Sequence, residues 1–120
     1  DAARVAREFI GECPVECLVA IHLDGKHRII GVEEVARGGT NAVHVTARDV
    51  FRGAIASGAL AIVIAHNHPS GDPAPSDDDV EITRRLKEAG VVVGVEVLDH
   101  VIVGAGEAFY AFRAEGRLTA

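Results

Sequence analysis

Ala59-Leu60-Ala61-Ile62-Val63-Ile64-Ala65 is an unbroken apolar run of strand length that leads directly into His66-Asn67-His68-Pro69. A run without polar alternation predicts a central strand, covered on both faces. Nearly half of the residues are apolar (48%), yet aromatics make up only 4% and Trp and Met are absent. The core must therefore be built of Val, Ile, Leu and Ala, which suits a sheet with helices packed on it. A chain of 120 residues fits one domain spanning 1–120, long enough to bury a real core.

The flanking segments supply the other elements. Residues 1–12 read as a short amphipathic helix, with Ala2, Val5, Ala6, Phe9 and Ile10 on one side and Gly11 ending it. Val15 to Leu23 reads as a strand, Asp24-Gly25 as a hairpin turn, and His27 to Val35 as the return strand, closed by Gly38-Gly39. After an extended piece from Ala42 to Val45, Thr46 and Asp49 form a capping-box pattern for a helix from Ala47 to Ser57. Past the histidines, a Pro-rich loop leads to a helix from Asp77 to Ala89, stopped by Gly90. Val91 to Leu98 and Val101 to Val103 read as strands separated near Asp99-His100, and Ala108 to Arg113 as the last. This alternation predicts the α/β class, a three-layer sandwich with a mixed β-sheet.

Charge and cysteine content narrow the setting. A net charge of −6 gives no general attraction to a phosphate backbone, so nucleic acid is not supported as a partner. Arg84-Arg85 and Lys87 form the one local basic cluster, on a helix that opens with three aspartates, a pattern that helix-dipole complementarity explains. No apolar run approaches the length of a membrane span, and the charged start Asp1 to Glu8 does not resemble a signal peptide. Cys13 and Cys17 are the only cysteines, which favours the cytoplasm. Their C-x3-C spacing is weak as a metal motif and reads as buried or half-buried thiols. Because the first residue is Asp1 rather than Met, a fragment of a longer protein is expected.

His66 and His68 stand two apart at a strand end, so an extended backbone projects both imidazoles to one face. Both can then meet one metal ion at about 2.0–2.1 Å. The carboxyl end of a buried strand is also where an open α/β sheet holds its ligands. Pro69, Pro73 and Pro75 stiffen the following loop, and Gly71 permits a turn within it. The loop can bring Asp79 back as a third, oxygen ligand, leaving a fourth position for water, as in catalytic zinc sites. A metal-free reading also stands: strand-end histidines are common surface residues, and Ser76-x-x-Asp79 is a helix-capping signature that stabilises by about 0.5–2 kcal/mol. The joint occurrence of these pieces within fourteen residues favours the metal. The contiguous tripeptide His66-Asn67-His68 is no evidence for an HNH nuclease, whose named residues are dispersed over a ββα module.

The segment His66-x-His68-Pro69-x6-Ser76-x2-Asp79 resembles the JAMM (MPN+) metalloprotease signature. Ala65-His66-Asn67-His68-Pro69-Ser70-Gly71-Asp72-Pro73 with Pro75-Ser76 resembles, more specifically, the bacterial RadC family. The likeness extends to Arg48-Asp49-Val50-Phe51, Arg84-Arg85-Leu86 and Val97-Leu98-Asp99-His100. It implies a cytidine-deaminase-like JAMM/MPN fold, one Zn2+ per chain held by His66, His68 and Asp79, and hydrolysis of a peptide or isopeptide, with ubiquitin-like tails among the substrates. Family members commonly carry a helix-hairpin-helix-like region ahead of this domain, here absent or reduced to the opening helix. The family was named for DNA repair, a label that does not derive from the catalytic motif.

JAMM enzymes also use a glutamate on an early strand, and Glu16, just ahead of Cys17-Leu18-Val19-Ala20, matches it as general base. A carboxylate heading a buried strand needs a partner or a task, whereas an exposed strand start would need neither. Glu33 and Glu34 are rivals that read as solvated acids on an edge strand. Ser76 is expected to stabilise the oxyanion, within the limit that its hydroxyl has one proton to give. Ser70 and Asp72 are expected to shape the loop or support the ligands. His100 is a candidate for the same support, for substrate contact, or for a structural role, while His22, His27 and His44 show no ligand spacing. Against the hydrolase stands a metal-binding interaction module associated with DNA repair or recombination. Deaminase chemistry lacks its H-x-E…P-C-x-x-C signature, and nuclease chemistry lacks a basic, aromatic-interleaved stripe. Exposed sheet edges can support a homodimer.

Overall fold

A computed structural model describes residues 2–38 and 45–118. The strands are β1 (Cys17–Leu23), β2 (Ile29–Arg37), β3 (Ala61–Asn67), β4 (Glu96–Val103) and β5 (Phe109–Ala111). The helices are α1 (Ala2–Ile10), α2 (Ala47–Ala56) and α3 (Asp77–Val93). As the apolar run requires, β3 is buried along its whole length and sits third in a sheet of order β2-β1-β3-β4-β5. It pairs antiparallel with β1 and parallel with β4, so the sheet is mixed.

Alternation along β3 divides the core in two. Ile62 and Ile64 pack with Leu18, Phe51, Ile82 and Leu86 under α2 and α3. Ala61, Val63 and Ala65 pack with Val19, Ile21, Ala6 and Ile10 under α1. The result is the expected three-layer sandwich: α1, the sheet, then α2 with α3. On α1, Ala6 and Ile10 make the buried seam with Ala2, Ala3 and Val5 beside it, while Phe9 falls outside that stripe and stays 58% exposed.

Several expectations are corrected. The helix after the loop does not stop at Gly90; it runs to Val93 and ends at Gly94, whose left-handed φ of 80° forms the cap. Gly90 instead permits a close approach, since a Cβ there would lie 2.5 Å from the Val95 carbonyl oxygen. Val91, Val92 and Val93, read as strand from their β-branched side chains, form the exposed last turn of α3, where helix continuation overrides local propensity. Nor does the sheet break at Asp99-His100. β4 is continuous, with Asp99 Oδ1 accepting the N–H of His100 (2.8 Å) and of Arg113 (3.0 Å). The first strand begins at Cys17 rather than Val15, and the return strand at Ile29 rather than His27. Of the piece from Ala42 to Val45, residues 42–44 lie outside the described residues, as does His44.

A bulge in β4 matters for the site. Ile62 pairs with Val97 but Val63 pairs with Asp99, so Leu98 is the extra residue. Past it the alternation is reset, and His100 and Ile102 share the α3 face with Val97. Gly90→Ala should destabilise the fold by about 1–3 kcal/mol despite the better helix former, because overpacking against a backbone oxygen outweighs propensity. Urea unfolding should show the lower midpoint; an unchanged or raised midpoint would contradict this account.

Candidate metal centre

His66, the penultimate residue of β3, and His68, just beyond the strand, present their imidazoles to the α3 face. Asp79 enters from the first turn of α3. The His66 and His68 Nε2 atoms are 3.1 Å apart, His66 Nε2 lies 3.2 Å from Asp79 Oδ1, and His68 Nε2 lies 3.1 Å from Asp79 Oδ2. Two donors each about 2.05 Å from one ion at a tetrahedral angle are about 3.3 Å apart. These spacings fit one face of such a polyhedron. His66 and Asp79 are buried at 1% and 2% exposure, whereas His68 is half-buried. The open side is therefore at His68, beside a hollow lined by Cys13, Asn67, Pro69 and Gly71.

The surrounding hydrogen bonds decide where the protons sit. Thr83, one helical turn after Asp79, donates its hydroxyl proton to the Asp79 carbonyl oxygen at 2.7 Å. That proton is then committed, so the Thr83 oxygen accepts from His100 Nδ1–H. His100 is wholly buried, and burial first, then the neighbouring His66 imidazole, drives its pKa well below the ordinary value. As a neutral ring its Nε2 accepts, so His66 Nδ1–H donates to it across 2.8 Å. Independently, His68 Nδ1 can only donate to the Asp72 carbonyl oxygen at 2.9 Å. Both histidines thus turn the bare lone pair of Nε2 toward each other and toward a carboxylate. Three electron donors with no proton assigned between them form a cation site, and the donor set fits a divalent metal.

Asp79 also completes the capping box of α3. Its Oδ2 accepts the Ser76 N–H at 2.9 Å, and Ser76 Oγ accepts the Asp79 N–H at 3.1 Å. Capping and candidate ligation, open alternatives in the sequence, are compatible in one carboxylate. Burial alone would raise the Asp79 carboxyl; a proton on His66 Nε2, the ion-free alternative to a bound cation, together with the Ser76 contacts would reverse this and hold it well below the usual carboxylate range.

A family model described as the RadC-like JAB domain matches residues 1–117. The chain belongs to that family. This RadC-like JAB domain is 45% identical over 104 residues to a UPF0758 protein of Clostridium perfringens, covering 87% of the chain and 46% of that relative. To a UPF0758 protein of Symbiobacterium thermophilum it is 50% identical over 105 residues, covering 88% and 44%. To one of Desulforudis audaxviator it is 47% identical over 116 residues, covering 97% and 50%. The chain therefore spans about half the length of the curated relatives it matches.

The remaining candidates of this JAB domain fall as follows. Glu16 is half-buried one residue ahead of β1, and its carbonyl oxygen accepts the Gly38 N–H at 2.7 Å. Leu18 pairs with His66, so the register continued by two residues sets Glu16 opposite His68, on the imidazole face. Ser70 Oγ accepts the Asp72 N–H at 3.4 Å, and Asp72 Oδ1 turns the loop by accepting the Ala74 N–H at 3.0 Å. Asp72 meets His68 through its backbone, not its carboxylate. Glu33 and Glu34 lie on β2, separated from β3 by β1. Contrary to the solvated reading, Glu33 is half-buried, 3.7 Å from the His22 Nε2 atom.

Thr83 went unnoticed in the sequence, although its i+4 spacing from Asp79 puts both on one helix face. Asn67 carried no signal either; it points to the opposite face and fixes the segment before β1. Thr83→Val should weaken divalent-metal binding by about 10- to 100-fold, with Thr83→Ser close to wild type. Competition against a chromophoric chelator measures this, and equal affinity in both variants would refute the assignment of protons. None of the helices among the described residues is long and apolar enough to cross a membrane.

Proposed function

We propose that this domain is a zinc-dependent metallohydrolase acting on peptide or isopeptide bonds, with Glu16 as general base. The observation that carries the reading is the convergence of two fixed Nε2 lone pairs and a buried carboxylate at the end of the central strand. Bound there by His66, His68 and Asp79, one zinc ion per chain supplies Lewis acidity that acidifies water and polarises a carbonyl. The JAMM signature implies this chemistry, and membership of the JAB family supports it.

The chain's own residues perform the proton work. Glu16 takes the proton from water as it attacks the carbonyl carbon, then gives it to the leaving amine. Ser76 donates to the carbonyl oxygen as negative charge develops there, a contact worth about 2.7–4 kcal/mol. In the cap Ser76 Oγ accepts the Asp79 N–H, which does not use its single proton and so supports this role. The greater exposure of His68 among the three candidate ligands supports entry of an extended substrate tail from its side, ubiquitin-like tails included. The acidic balance and the cysteine count favour cytoplasmic protein substrates over nucleic acid. Pairing of two copies through β2, where Ile29 and Ile30 are each 47% exposed, is the form of homodimer we propose.

Metal analysis of the purified protein should find about one zinc per chain, with His68→Ala and Asp79→Ala both losing it. Removing the metal with a chelator should lower the melting temperature of wild type alone. Glu16→Ala should retain the metal while hydrolysis of peptide libraries or ubiquitin-like tails falls by about 10²- to 10⁴-fold. Cleavage that survives Glu16→Ala would remove the base assignment. Stoichiometric metal with no cleavage in wild type would favour the interaction module linked to DNA repair or recombination.

A further inference from the structure

On the opposite face of the β3 tip, Asn67 docks the segment that precedes β1. Its Nδ2 donates to the carbonyl oxygens of Cys13 (3.2 Å) and Val15 (3.0 Å), and its Oδ1 accepts the Cys17 N–H (2.7 Å). Docking sets the two Sγ atoms 2.7 Å apart. Arg37 Nη1 lies 3.1 Å from Cys13 Sγ, while its Nε and Nη2 grip Glu34 at 3.0 and 2.6 Å, which fixes the guanidinium. Cys13 is half-buried at the hollow beside His68; Cys17 is buried. Both are free thiols.

We propose that Cys13 and Cys17 are a dithiol modification site, oxidised to an intramolecular disulfide by a low-molecular-weight disulfide of the glutathione class. The Cys13 thiolate attacks one sulfur of the oxidant, whose S–S bond breaks and releases one thiolate. Cys17, losing its proton to solvent, then attacks Cys13 Sγ in the mixed disulfide and expels the second thiolate. The two protein thiols lose two electrons, and the oxidant becomes two thiols by taking up the two protons. A disulfide needs about 2.05 Å between sulfurs, so less than an ångström of approach completes the bond.

The surroundings give the two sulfurs different parts. The hydrogen bond that Cys17 S–H donates to Cys13 Sγ lowers the Cys13 pKa, and Arg37 adds to this, against the opposing effect of burial. Burial, followed by the hydrogen bond and charge of Cys13, pushes the Cys17 thiol up to about 11. Once Cys13 is capped by the oxidant that charge is gone, and Cys17 ionises more readily. The finished bond closes a loop containing Pro14, Val15 and Glu16. Its effect on Glu16 as a base rests on the function proposed above; the bond itself does not.

The test uses the full 120-residue chain, reduced and then equilibrated in glutathione buffers of graded ratio. Alkylation traps the remaining thiols, followed by intact-mass analysis and peptide mapping. Wild type should lose two hydrogens and both alkylatable thiols, with a Cys13–Cys17 crosslink and no retained glutathione. Cys17→Ser should stop at a glutathione adduct on Cys13, Cys13→Ser should accumulate adduct far more slowly, and Arg37→Ala should slow the first step severalfold. Thiols that stay alkylatable in wild type when the buffer is largely oxidised would overturn the proposal, as would a crosslink between chains. These readouts are masses, so they stand whether or not the domain hydrolyses peptides.

Discussion

The proton that Thr83 gives to the Asp79 carbonyl oxygen settles the direction of the hydrogen bonds behind the buried half of the site. Because a carbonyl can only accept and a threonine has one proton, the two rings behind it have no freedom of tautomer. His100 and His66 pass the constraint along, and it ends as a lone pair on His66 Nε2. His68 reaches the same state through a separate carbonyl, that of Asp72. Metal selectivity aside, a constellation so wired attracts a cation before any ion arrives, since every group facing the centre is an electron donor.

That wiring depends on backbone features away from the motif. His100 reaches the α3 face because Leu98 is an extra residue in β4, resetting the alternation between Val97 and His100. Phe112 holds the ring from the other side, stacked nearly parallel at 6° with centroids 4.8 Å apart. Gly104 meets the ligand loop closely: a Cβ there would lie 2.4 Å from the Gly71 carbonyl oxygen. The Ala105 N–H donates to that same oxygen at 2.9 Å, tying the loop to the end of β4. The three candidate ligands are local in sequence, and the residues that brace them come from the following strand.

How far the sequence reveals this follows from the range of each interaction. The central strand, the capped helices and the gathering of His66, His68 and Asp79 are legible because each is written within a short window of periodicity or spacing. His100 could be suspected but not given a part, since its role depends on a bulge that no local pattern announces. The end of α3 is not legible locally, because Val91-Val92-Val93 carries strand propensity while its conformation is set by the left-handed cap at Gly94. Gly90 reads as a stop because close approach to Val95 and helix termination call for the same residue type. Asn67, flanked by two histidines, drew no attention because its partners lie some fifty residues upstream.

Asp79 starts a helix with the same oxygen that faces His68. A single substitution at this position therefore removes a candidate ligand and one half of the capping box at one stroke. Descendants of such a chain would have no gradual road to a site without this carboxylate: losing it also loosens the start of the helix, unless an asparagine or serine first takes over the cap.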